Sequence, residues 1–125
     1  MSENEREITC IYNGNDNEDK QTLGYLSATD KKVLSIDISK QKLTGTQWID
    51  LGKRLNLNLN QLIDPKKIEG NIDSFSNHDC TKILRENPDA LNGAIVFTKG
   101  KAKQIKNPSK VLTFIDSDSE GIQKT

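Results

Sequence analysis

Apart from charge, little in this chain is abundant. Aromatic residues make up only 5% of 125 residues, and there are three prolines, two cysteines and a single histidine. With so few large rings, Trp48 is expected in a core, beside Leu51 and Leu55 at helical spacing, rather than on a docking surface. The cysteines, Cys10 and Cys80, stand far apart without a CxxC pattern, which does not fit a secreted disulfide framework or a zinc site. No apolar run approaches the roughly 20 residues of a membrane span, and no basic segment followed by an apolar stretch opens the chain, so a cytoplasmic protein without membrane contact is expected. Charge of one sign is also missing. Eighteen basic residues balance eighteen acidic ones, so no overall field favours direct contact with nucleic acid.

What remains is a polar chain, with 33% apolar and 29% charged residues and a mean hydropathy of -0.70. Its apolar residues are concentrated in short runs, as folding requires. At 125 residues one core is expected, because separate domains need about 100 residues or more apiece. The expected organisation is a polar N-terminal segment over 1–7, one domain over 8–116 and a flexible acidic and serine-rich tail over 117–125. A monomer is expected.

Ile8-Thr9-Cys10-Ile11-Tyr12 reads as a buried strand closed by the turn residues Asn13-Gly14-Asn15. Asp16 then reads as a helix N-cap, Glu18 and Asp19 as first-turn carboxylates suited to the helix dipole, and Leu23 and Leu26 as the inward face of a helix ending near Thr29. A second strand over Lys32 to Ile38 gives a β-α-β unit with parallel pairing. Helical spacing resumes from Gly45 to Asn56, and the alternating Leu55-Asn56-Leu57-Asn58-Leu59-Asn60 reads as a junction between helices. Ser76 or Asn77 caps a helix that turns Cys80, Ile83 and Leu84 inward and stops before Pro88. Ala94 to Thr98 and Ala102 to Ile105 form a hairpin around Lys99-Gly100-Lys101. Asn107 and Pro108 open a last helix with Val111, Leu112 and Ile115 inward.

This order, β-α-β, a helical insertion, a β-hairpin and a C-terminal helix, is an α/β arrangement of thioredoxin-like type. Three stretches resemble the ArsC-type arsenate reductase and Spx family: Ile8 to Asn13 running into Thr22-Leu23, Glu86-Asn87-Pro88-Asp89-Ala90-Leu91-Asn92-Gly93-Ala94-Ile95-Val96, and Asn107-Pro108-Ser109. The resemblance implies a nucleophilic cysteine at the start of the first helix, where dipole and free N–H groups lower a thiol's pKa. That position holds Asp16, and the second position, three residues on, holds Asp19. The family's oxyanion-binding arginines correspond to Asp64, Gly93 and Asn107, and its cis-proline to Ala94. A cis bond without proline costs about 2.5–4 kcal/mol, so a trans peptide and a reshaped wall are expected.

A redox-inactive binding or regulatory protein is therefore expected, with no cofactor. The alternative is a thiol oxidoreductase, arsenate reductase-like or glutaredoxin-like, with a relocated cysteine, Cys10 or Cys80. Cys10 lies inside a strand and Cys80 on an apolar helix face, the setting of inert packing groups. Asp16, Glu18 and Asp19 could hold a divalent cation, but they lack the glycine and distal glutamate of an EF-hand loop, and capping is the better account. No metal site is expected. His78 has no recognisable nucleophile beside it and reads as a polar residue in a helix start. The acid-free stretch holding Lys99, Lys101, Lys103, Lys106 and Lys110 could meet an acidic protein partner, as Spx-type relatives grip a polymerase subunit, or could be a solvated hairpin and helix start.

Overall fold

A computed structural model describes residues 7–98 and 100–116. The expectations for residues 1–6, Lys99 and the tail over 117–125 lie outside the described residues.

Four strands, β1 (Glu7–Tyr12), β2 (Lys32–Asp37), β3 (Ala94–Thr98) and β4 (Lys101–Ile105), form one sheet in the order β2-β1-β3-β4. β1 and β2 are parallel, joined through helix α1 (Asn17–Ser27), whereas β3 pairs antiparallel with both β1 and β4. Helices α2 (Gly45–Leu55) and α3 (Asn77–Glu86) cover one face, and α1 and α4 (Val111–Asp116) the other. The period-two alternation of strands divides the core accordingly. Ile11, Ile95 and Phe97 point towards Trp48, Leu51, Cys80 and Leu84. Ile8, Cys10, Ala94 and Val96 point towards Leu26, Val111 and Ile115. This is the thioredoxin-like α/β architecture, and β3, buried along its whole length, is its central antiparallel strand.

The helix ends follow local chemistry. Thr44 and Gln47 form a reciprocal capping box at the start of α2, and Asn56 ends the helix in the left-handed region at φ 58°. Ser76, rather than Asn77, caps α3, with Asp79 returning the bond. The alternating leucine–asparagine run is indeed a junction: it leads from α2 into a 3-10 turn at Leu59–Leu62 that buries Leu59 and Leu62.

Several features differ from the sequence reading. α1 stops at Ser27, two residues before the expected end, because Ala28 and Thr29 close it with N–H bonds to Gly24 and Leu26. Lys101 belongs to β4 rather than to the turn, since it pairs with Thr98. Leu23 and Leu112 are only partly buried, while Thr22 and Asp19 take inward positions on α1.

Trp48 is fully buried at the centre of the α2/α3 face. Trp48→Ala is expected to lower unfolding free energy by about 3–5 kcal/mol, read from urea denaturation.

Candidate functional site

The loop between β1 and α1 is built around Asn13, which is buried although fully polar. Its backbone N–H donates to Asp19 Oδ2 at 2.9 Å, and its side-chain Nδ2 donates to Asp89 Oδ1 at 2.8 Å. Its Oδ1 accepts from the Asn15 N–H at 3.0 Å, and its carbonyl accepts from the Asp16 N–H at 3.0 Å. Gly14 continues the turn by donating its N–H to Asp37 Oδ1 at 2.8 Å, and a Cβ there would collide with that carboxylate. Asp37 also accepts from the Ser39 N–H and hydroxyl. Partial burial pushes the Asp37 carboxyl up, but those bonds outweigh it and hold the group below the usual carboxylate range.

Asp16 caps α1 as expected. Its Oδ1 accepts from the Glu18 N–H at 2.8 Å and the Asp19 N–H at 3.1 Å, and its carbonyl accepts from the Lys20 N–H. A helix start and its preceding turn offer an anion a set of free N–H groups. Here those of Asn13, Gly14, Asn15, Asp16, Glu18, Asp19 and Lys20 all bind carboxylates, amides or carbonyls of the chain itself.

Asp19 is not the solvated first-turn carboxylate that helix-dipole reasoning suggests. Only 3% of it is exposed. Burial pushes its carboxyl up to about 7, with the Asp16 and Glu18 charges adding to the rise and N–H bonds from Asn13 and Ala94 opposing it. One carboxylate thus ties the end of β1, the first turn of α1 and the start of β3.

Opposite Asp19, the segments 62–64 and 90–92 run side by side. The Asp64 N–H donates to Ala90 O and the Asn92 N–H to Leu62 O, both at 2.8 Å, and Ile63 bridges Leu91. This brings Asp64 and Gly93 to the same cavity of about 170 Å³ as Asp16 and Asp19. Five carboxylates line it, those of Asp16, Glu18, Asp19, Asp64 and Asp89, against the two ammonium groups of Lys67 and Lys106. A negative lining repels an incoming oxyanion. Asp64 Oδ1 caps its own 3-10 turn through the Lys66 N–H, and Asn107, outside the cavity lining, does the same for Ser109. Gly93 has φ +108°, and a Cβ would meet the Ile105 carbonyl oxygen, so no side chain fits there without moving the backbone. The peptide bond into Ala94 is trans.

The two thiols lie on opposite faces of the sheet, Cys10 against α1 and α4 and Cys80 against α2 and α3. Burial, with a contribution from Asp19, pushes the Cys10 thiol up to about 12. Burial first, then the Asp79 charge, also raises Cys80. Neither thiol has the electropositive setting that makes a thiolate. Lys101 Nζ donates to Phe114 O at 2.7 Å and sits 4.9 Å over the Phe114 ring, whereas Lys103 and Lys106 are exposed. His78 is exposed at the start of α3. Among the described residues no group of three or more His, Cys, Asp or Glu side chains is arranged to hold a metal ion, and no helix is long and apolar enough to cross a membrane.

Sequence reasoning found Asp16, Asp19, Asp64 and Gly93, which the structure brings together. It missed Asn13, Asp37 and Asp89, because their partners lie up to 76 residues away.

A thioredoxin-like sheet with this helical insertion is the fold of arsenate reductases, and solved structures of that kind superpose on the chain. An arsenate reductase from Vibrio cholerae matches with TM-score 0.72 and 19% identity, over 88% of this chain and 98% of that one. A putative arsenate reductase from Yersinia pestis matches with TM-score 0.70 and 20% identity, over 85% and 98%. An ArsC-related protein from Brucella melitensis matches with TM-score 0.63 and 13% identity, over 88% and 95%. No protein-family model and no curated protein matches the chain.

Two outcomes are expected. Asp16→Ala removes the cap of α1 and lowers stability by about 0.5–2 kcal/mol in urea unfolding. Asp19 has a folded pKa raised to about 7 from 3.8, so the stability associated with its proton is fully present below about pH 4 and is lost as pH rises through 7. The stability of Asp19→Asn relative to the unaltered protein should therefore grow between about pH 4 and 7 and level off above, by no more than about 4 kcal/mol. A pH-independent difference in chemical denaturation would show that Asp19 is ionised throughout.

Proposed function

We propose that this protein is a redox-inactive binding or regulatory module on the arsenate reductase scaffold. The observation that carries this reading is the occupation of the α1 start by Asp16, whose carboxylate takes the N–H groups that would cradle an oxyanion. Three further features support it. The nucleophile position holds a carboxylate, which cannot cycle through a thiol–disulfide exchange. The lining of the cavity has the wrong charge for arsenate. One of the arginine positions is Gly93, where backbone geometry leaves no room for a side chain.

The competing reading is a thiol oxidoreductase that uses Cys10 or Cys80. Burial and raised pKa values speak against it, since the thiolate is the nucleophile. Two thiols on opposite sheet faces also cannot join in a disulfide without rearranging the core. We infer a cytoplasmic monomer that works through a protein partner, with no cofactor.

Native-state alkylation between about pH 6 and 9 tests this, because a free cysteine ionises near pKa 8.5. Both thiols should react only on unfolding, and thiol-dependent arsenate reduction should be undetectable. Asp16→Cys should leave the protein inactive as well, since the arginines are still missing. Fast labelling of either native thiol at pH 6, or turnover of arsenate by the unaltered chain, would overturn the proposal.

A further inference from the structure

β4 is an outer strand of the sheet, with β3 on its inner side. The close approach of Gly93 to the Ile105 carbonyl oxygen shows that Ile105 turns its backbone groups towards β3. By the alternation of an antiparallel ladder, Lys101 and Lys103 do the same, and Ala102 and Gln104 turn theirs outward. No hydrogen bond joins those outward groups to another element among the described residues.

The outer edge of β4 also borders a groove of about 290 Å³, whose opposite side is Leu55, Leu57 and Gln61 from the end of α2 and the junction beyond it. Ala102 and Gln104 line the groove from β4, with Lys103 and Lys106 beside them. Gln104 is 8% exposed, and its Nε2 donates to Leu62 O at 3.1 Å and Gly93 O at 3.3 Å. That fixes the orientation of the amide and leaves Oε1 buried, with no partner among the described residues.

We propose that the β4 edge is a docking strip for an extended acidic peptide of a protein partner, added as a further strand. Outward amides supply main-chain bonding, and the half-buried Leu55, Leu57 and Ala102 receive the alternate apolar side chains. Lys103 and Lys106 set the charge of the occupant. A second copy of the chain is disfavoured on the same strip, because pairing β4 with itself sets lysines against lysines. Edge lysines alone serve in many sheets only to prevent such pairing. The groove beside this edge, with its apolar side, is what a purely protective edge does not need.

The proposal rests on the binding-module reading for its functional meaning, yet the two fail separately. The probe is a fluorescein-labelled octapeptide of alternating valine and glutamate, followed by anisotropy against the full chain. Saturable binding is expected, with the valine–lysine counterpart at least tenfold weaker and the Lys103→Glu/Lys106→Glu double variant roughly tenfold weaker for the glutamate peptide. A fully N-methylated glutamate peptide keeps every charge but cannot form the ladder, and it should not bind. Equal binding of the N-methylated peptide, indifference to charge reversal, or no saturation up to about 2 mM overturns strand addition while leaving the inert-thiol reading intact. Arsenate turnover would sink only the latter.

Discussion

The buried Asp19 carboxylate is the constraint on which this end of the molecule depends. It holds the N–H of Asn13 and, through a second bond, that of Ala94, so the loop after β1, the first turn of α1 and the start of β3 share one anchor. Asn13 extends the anchor to Asp89 and thereby to the segment that walls the cavity. A buried carboxylate is costly unless it is well bonded, and the rise of its pKa to about 7 shows that the bonds compensate incompletely. The protein keeps the anchor because the alternative is worse. Without Asp19, the buried N–H of Asn13 would lose its acceptor.

The same economy governs the start of α1, where the scaffold satisfies its own helix end. Free N–H groups at a helix start need an acceptor, whether that acceptor comes from a ligand or from the chain. Asp16 provides it internally, and the loop over residues 13–16 closes on its own side chains. Once the cradle is filled from within, cationic groups around it have no anion to hold. Glycine at 93 and aspartate at 64 are then compatible with a sound structure, where they would be ruinous in an oxyanion site.

How much of this was legible in the sequence depends on how far each interaction reaches. Caps were readable because they are local: Asp16 before two acidic residues, Ser76 or Asn77 before α3, Asn107 before Pro108. The strands were readable from short apolar runs, and the β-α-β unit and the hairpin gave two of the three pairings, whereas the β1–β3 pairing that joins them comes from the structure. The burial of Asp19 was not readable, since α1 is polar nearly all round and carries no clear apolar stripe to orient it. Nor was the role of Asn13 or Asp37. An asparagine or aspartate after a strand is ordinarily a turn residue, and only the folded chain brings Asp89 or Gly14 to it.

These differences also separate two kinds of polar surface. Around the cavity, Asn13, Asp16 and Asp19 are matched to donors and acceptors of the chain. Along β4 the order is reversed: among the described residues the outward backbone groups of Ala102 and Gln104 meet no hydrogen-bonding element, while Lys103 and Lys106 are exposed. Lys101, by contrast, is bound to Phe114 and contributes to holding α4. Recognition needs unsatisfied groups on a surface that is otherwise well held, because ordering a flexible segment would consume the binding energy. The sheet provides that support at β4, whose inner side is laddered to a fully buried strand.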